Sequence, residues 1–144
     1  MIKEFQNEYR WLSNFYPCKV IFEGVEYISV EHAYQSAKSK DSVWKKFCRD
    51  TIKPGLIKIE SKKIEVDRNV WDEQKIKVMK ILIDQKFNQE PFKTKLLETK
   101  DQIIQEGNRW GDTFWGVDLK TGNGKNILGK LIMKKRDQLN FKSW

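Results

Sequence analysis

The sequence holds one histidine, two cysteines and three prolines, and no apolar run of the roughly eighteen residues that a membrane-spanning helix needs. A single histidine rules out a His-based zinc site, and Cys18 and Cys48 form no CxxC pair that could supply thiolates instead. No metal and no cofactor are expected. His32 stands at an expected helix start, a poor place for a Ser–His–Asp hydrolase triad. The stretch Met1-Ile2-Lys3-Glu4-Phe5-Gln6-Asn7 has no apolar core, so no signal peptide is expected, and the cysteines are expected as thiols of a cytoplasmic protein. There is no repeat, no low-complexity tract and no Pro/Gly/Ser linker, which leaves one domain over residues 1–144.

What is present is positive charge and tryptophan. The net charge of +8 favours anionic partners such as phosphates, nucleotides or nucleic acid, although lysines that alternate with acids along helical stretches also serve plain solubility. Trp11, Trp44, Trp71, Trp110, Trp115 and Trp144 are too many to be surface residues; most belong in a core, and an indole also stacks on a planar heterocycle.

Val20 and Phe22, then Val25 and Tyr27, alternate at period two around Glu23-Gly24, which reads as a β-hairpin. Ser29 is placed to cap a helix, with Glu31 in its first turn, and the apolar periodicity predicts that this helix runs to about Phe47. Residues 54–61 are ambiguous. Arg68 to about Phe87 reads as the longest helix, with Trp71, Val78, Met79 and Leu82 on one side. Pro91 suits the first turn of a further helix ending near Thr99. Residues 101–106 are a candidate strand. Residues 107–125 carry five glycines and read as loop with one strand, and a last helix starts near Asn126 with Ile127, Leu128, Leu131 and Ile132. The expected fold is a compact, predominantly helical α+β domain with a small antiparallel hairpin.

The helix that begins at Val30 carries the polar residues of most interest. At one hundred degrees per residue, Val30, Ala33, Tyr34, Ala37 and Trp44 share one side, and Glu31, Gln35 and Lys38 fall within about sixty degrees of each other on another. A carboxylate, an amide and an amine thus line one face. The plain alternative is a solvated stripe, in which such pairs are common and weak. Against that, the stripe mixes three chemistries instead of alternating Lys and Glu, and it directly follows a hairpin that can wall a cleft. His32 lies beside the stripe, as a positioning or core-edge residue.

These residues sit inside longer matches. WLSNFYPCKVIFEGVEYISVEHAYQSAK, RNVWDEQKIKVM and LLETKDQIIQEGNRWGDTFWGVDLKTGNGKNILGKLIMKKR resemble, in order and over nearly the whole chain, the signatures of the NADAR (YbiA-like) family. Lys100 departs from the pattern, where family members more often carry Gly, and this is expected to affect a turn. The resemblance implies a YbiA-like fold and an N-glycosidase acting on ribose N-glycosides: early riboflavin-pathway intermediates or ADP-ribose on modified guanine. The partner would be a small phosphoribosyl or ADP-ribosyl substrate, free or carried on DNA or RNA guanine, with no membrane and no metal.

Matched residue by residue, Glu31 is the candidate base or electrostatic stabiliser of a positively charged ribose, and Lys38 is the candidate amine for attack on an opened ribose. Such an amine must be neutral. A close carboxylate opposes that, so burial or nearby cations must outweigh it. Asp112 is a candidate acid, base or ribose-hydroxyl acceptor, or simply a turn residue beside glycine. The resemblance further suggests Ser13, Asn14, Phe15, His32, Gln35, Arg68, Trp71, Glu106, Trp115 and Gly116 as substrate contacts. Arg68 is a possible phosphate fork. Trp115 is a possible stacking platform, because the glycine after it implies close approach to something. Gly122, Asn123, Gly124 and Asn126 open the last helix, where free backbone N–H groups would suit a phosphate, although the pattern is not a Walker loop. The plain alternative there is an ordinary Gly-rich turn capped by Asn126.

Three classes compete at this point: an N-glycosidase, a non-catalytic ADP-ribose or nucleotide-binding module, and a basic nucleic-acid-binding protein. Only the first needs Glu31 and Lys38 together. The third lacks any standard nucleic-acid motif.

Overall fold

A computed structural model describes residues 1–142 of the chain. It is α+β and mostly helical, with one antiparallel hairpin and one very short parallel strand pair. Two compact units divide it, one from residues 14–86 and one from residues 1–13 with 87 onward. Among the described residues no helix is long and apolar enough to cross a membrane.

In the first unit, β1 (Val20–Phe22) and β2 (Val25–Tyr27) pair antiparallel with Val20 opposite Tyr27 and Phe22 opposite Val25. Glu23 and Gly24 make the two-residue turn at φ of 49° and 79°, the left-handed geometry that matches the twist of a tight hairpin. The outer edge of β1 meets a side chain: the Ile21 amide donates to Gln85 Oε1 at 2.8 Å, and Gln85 Nε2 donates to the Ile21 carbonyl at 2.6 Å.

Helix α1 (Val30–Ser36) begins as expected, with Ser29 Oγ accepting the His32 amide at 3.1 Å. It stops at Ser36 and does not reach Phe47. Asp41 starts α2 (Ser42–Asp50) by accepting the Val43 amide at 2.9 Å, and Ser39 Oγ accepts the Asp41 amide at 3.1 Å. These short polar side chains offer the backbone local bonds that compete with helix, which is why an unbroken apolar rhythm misled. Trp44 is buried, as the rhythm implied, but it arrives from α2 and donates Nε1–H to the Gln35 carbonyl at 2.8 Å. The ambiguous segment is α3 (Pro54–Ser61), opened by proline in its first turn. Helix α4 (Arg68–Phe87) has the expected bounds and buries Trp71, Val78, Met79 and Leu82. Helix α1 packs against α2, α3 and both strands, so every one of its residues is buried.

In the second unit, a 3-10 helix covers Asn7–Leu12, and α5 (Phe92–Glu98) packs on α6 (Ile127–Lys142). Pro91 stands just before α5, after a cis bond from Glu90. The candidate strand at 101–106 shrinks to one parallel bridge between Ile2 and Ile104; the strands proper are β3 (Gly107–Asn108) and β4 (Val117–Asp118), paired parallel. Lys100 sits at a φ of 56°, a conformation that glycine adopts without strain, so the departure noted in the sequence does fall on a turn. Arg136 of α6 donates to Thr99 Oγ1 at 2.9 Å and to the Gln102 carbonyl at 2.8 Å, tying α6 to the end of α5. Among the tryptophans, Trp11, Trp44 and Trp71 are buried, Trp115 is half-buried, Trp110 is exposed, and Trp144 lies outside the described residues.

Candidate active site

The start of α1 is where polar chemistry is buried. Glu31 is 6% exposed, and its amide donates to the Asn14 carbonyl at 3.0 Å. Its carboxylate accepts Gln35 Nε2–H at 2.7 Å, one turn along the helix. Lys38 is past the end of α1, not on it, and its amide donates to the Gln35 carbonyl at 3.2 Å. Its Nζ lies 5.6 Å from the centre of the Tyr34 ring, and Tyr34 in turn leans on buried Trp71 with ring centres 5.2 Å apart.

The electrostatics of Lys38 answer the question raised by the sequence. Burial is the largest influence and pushes its amine below the usual lysine value. Glu31 pulls the other way, and Arg68, Lys58 and Lys75 add to the downward push. The net direction is toward the neutral amine, despite the carboxylate. Lys58 also stands 5.8 Å from the ring centre of Phe15, which is 40% exposed. Lys58 and Lys75 were not foreseen. They come from α3 and from the second turn of α4, and no local pattern links those positions to α1. Arg68 is exposed at the first residue of α4. Cys48 is buried, and burial pushes its thiol up to about 12, so it offers no thiolate nucleophile beside these groups.

Asn14 donates Nδ2–H toward Met79 Sδ at 3.5 Å, while Asn14 Oδ1 and Gln35 Oε1 are buried without a hydrogen-bond partner. His32 is a correction to the expected substrate contacts. It is 1% exposed, with Nδ1 2.5 Å from Ser29 Oγ and Nε2 2.8 Å from the Thr51 carbonyl. A carbonyl only accepts, so Nε2 carries the hydrogen and Nδ1 accepts from the hydroxyl. Burial lowers its pKa and keeps it neutral near pH 7. Both nitrogens are committed to linking the start of α1 to the end of α2.

The remaining candidates lie in the second unit. Ser13 closes the 3-10 helix, its amide donating to the Arg10 carbonyl at 3.0 Å. Asp112 Oδ1 accepts the amides of Phe114 and Trp115 at 3.0 and 2.9 Å, which gives that carboxylate a turn-forming task. Asn108, 2% exposed and not foreseen, brackets the turn: Oδ1 accepts the Asp112 amide at 2.9 Å, and Nδ2 donates to the Asp112 carbonyl at 2.9 Å and to Glu106 Oε2 at 3.1 Å. What approaches Gly116 closely is Glu106: a Cβ there would strike its carboxylate and its carbonyl. Trp115 is half-buried and stands edge-on to Phe114 at 4.9 Å.

Most amides of the expected cradle at the last helix are spent on the protein itself. The amides of Lys125, Asn126, Ile127 and Leu128 donate to the carbonyls of Thr113, Gly116, Phe114 and Trp115 at 2.8 to 3.2 Å. The Gly122 and Asn123 amides are used as well, by the Asp118 carbonyl at 2.7 Å and Thr121 Oγ1 at 3.1 Å. Gly124 is needed because a Cβ would meet the backbone of Gly116 and Val117. Asn126 sits at a φ of 52° and reaches back, Oδ1 accepting the Glu106 amide at 3.0 Å and Nδ2 donating to the Ile104 carbonyl at 2.9 Å. It is a clip for residues 104–106, not a cap for its own helix. Among the described residues, no three His, Cys, Asp or Glu side chains gather as a metal set.

The chain is similar in sequence and fold to known proteins. The sequence profile of the NADAR domain matches residues 2–140, running through both units. A riboflavin biosynthesis protein of Vibrio vulnificus is 32% identical over 131 residues, 90% of this chain; the chain spans only 35% of that protein's length. The N-glycosidase YbiA of Escherichia coli is 29% identical over 135 residues, covering 92% of this chain and 83% of that protein. The NMR structure of E. coli YbiA superposes with a TM-score of 0.84 at 26% identity, over 99% of this chain and 84% of that one.

Proposed function

Since this chain belongs to the NADAR domain family, we propose that it is an N-glycosidase that hydrolyses the bond between a ribose C1′ and the nitrogen of a base. The observation that carries the reading is the buried Glu31 carboxylate in the same unit as Lys38, an amine that burial and three further cations drive toward neutrality. A surface ion pair needs neither feature. The names of the relatives, two of them N-glycosidase or riboflavin biosynthesis proteins, support the same reaction class.

The chemistry follows from the charges. As the C1′–N bond stretches, positive charge develops on C1′ and the ring oxygen, and a carboxylate in a water-poor setting stabilises it strongly. Water then adds hydroxyl to C1′, and its second hydrogen leaves on the base nitrogen. In the covalent variant, neutral Lys38 attacks C1′ of the opened ribose and the base departs with a proton. Water next hydrolyses the resulting imine, which frees the sugar and restores the amine. The cations Arg68, Lys58 and Lys75 supply the field that an anionic phosphoribosyl or ADP-ribosyl group needs. One relative is named as a riboflavin biosynthesis protein, so an aminopyrimidine ribosyl phosphate is the first substrate to try, and ADP-ribosylated guanine, free or in DNA or RNA, is the second. The same reading takes residues 1–144 as one functional domain in the cytoplasm.

Incubation with each substrate, read as released ribose phosphate or ADP-ribose, tests the proposal. Glu31→Gln and Lys38→Met should each slow release about 100-fold or more while the fold is kept, the scale typical of removing a transition-state charge. Turnover of neither substrate by the wild type, with tight binding of ADP-ribose, would replace the enzyme by a binding module.

A further inference from the structure

Two buried oxygens have no hydrogen-bond partner: Gln35 Oε1, on the side chain that donates to Glu31, and Asn14 Oδ1, on the residue whose backbone carbonyl takes the Glu31 amide. Such atoms are rare in folded proteins because each costs stability, so a retained one asks for a reason. The orientation of Gln35 is not arbitrary. A carboxylate only accepts, so the amide nitrogen must face Glu31, as the 2.7 Å contact has it, and the carbonyl oxygen must turn elsewhere. Gln35 is 3% exposed and cannot satisfy that oxygen with bulk water. Asn14 is tied to the same place through the Glu31 amide, and its own Nδ2 is already turned toward Met79. Gln35 thus spends its donor on the carboxylate and keeps a buried acceptor in hand.

We propose that Gln35, with Asn14, reads the hydroxyl groups of the ribose, and that Gln35 at the same time positions the Glu31 carboxylate. This rests on the N-glycosidase reading and adds a specificity to it. A ribose carries neighbouring O–H groups, which are the donors this set of acceptors lacks. A 2′-deoxyribose carries one fewer, and a site built to bond a hydroxyl rejects the analogue that lacks it far more strongly than an apolar pocket rejects a missing methylene. A small torsional movement of the two amide side chains on binding would bring the oxygens to the ligand.

The experiment compares a ribosyl substrate with its 2′-deoxyribosyl counterpart in the wild type and in Gln35→Met, which keeps length and removes both amide functions. The wild type should prefer the ribosyl form by at least 100-fold in kcat/KM. In Gln35→Met the preference should fall at least tenfold, and the acid limb of the pH–rate profile should move upward because Glu31 has lost its donor. A wild type that takes both sugars equally overturns the proposal without any variant. So does a Gln35→Met that is slower but keeps the full preference, because Gln35 would then only position Glu31. If the wild type turns over neither sugar, the N-glycosidase reading fails first. Thermal shift with ribose 5-phosphate against 2-deoxyribose 5-phosphate then decides the hydroxyl-reading claim alone, with equal shifts overturning it.

Discussion

Lys86 is the most extreme ionisable group in the first unit, and its effect on stability can be worked out. Its side chain is 0% exposed near the end of α4, and burial drives its amine from the usual lysine value down to about 7, with Cys18 pulling slightly the other way. Each pKa unit is about 1.4 kcal/mol, so the gap between folded and unfolded lysine corresponds to a penalty of up to about 5 kcal/mol. The sign is as follows. Below about pH 7 both states hold the proton and the whole penalty is present. Between about 7 and 10.5 the unfolded chain still holds the proton while the folded one has shed it, so stability rises with pH. Lys86→Met keeps the length and deletes the charge. Acceptors that lose a donor return about 1–3 kcal/mol of cost, which leaves a net gain on the order of 2–4 kcal/mol at pH 6. In a domain of this size each kcal/mol moves the melting point by about 3–4 °C. Urea or thermal unfolding of both proteins at pH 6, 7, 8 and 9 reads the difference. The gain should shrink steadily as the pH rises. A loss of stability that is the same at every pH would refute the reasoning, because Lys86 would then not titrate near neutrality.

Borohydride reduction during turnover should trap sugar on Lys38 and leave Lys86 unmodified, because Lys86 has no exposed surface; mass spectrometry of the peptides decides, and modification of Lys86 would contradict the sealed interior described for it. The trapping yield should rise as the pH climbs toward the lowered Lys38 value, since only the neutral amine attacks. Asp112→Asn retains an acceptor for the Phe114 and Trp115 amides and should keep both stability and most of the activity, whereas Asp112→Ala should lose about 1–2 kcal/mol in chemical unfolding. A loss of activity in Asp112→Asn at wild-type stability would give that carboxylate a chemical role.

What could be read from the sequence is what local chemistry decides. The hairpin turn at Glu23-Gly24, the Ser29 cap and the bounds of α4 depend on residues close in the chain, and each stands where expected. Glu31 and Gln35, four apart, do meet. Lys38 lies beyond the end of α1, yet its amine still feels the Glu31 charge. The break itself was hidden by Trp44, whose apolar position continued the rhythm of α1 while the side chain belongs to α2. The cations that tip Lys38 toward neutrality come from helices whose relation to α1 is tertiary, and no spacing encodes it. The Gly-rich segment misled for a similar reason: its composition matches a phosphate cradle, but its amides are answered by carbonyls a dozen residues earlier.

The bond pair between Gln85 and Ile21 has a consequence for the hairpin as a whole. A strand of three residues with an open rim is an invitation to a foreign chain. Here a glutamine on a twenty-residue helix plays the part of the missing neighbour, matching one peptide group donor for acceptor. Gln85 closes that rim, so its loss would show first as sticky association between molecules and only later as a lower melting point.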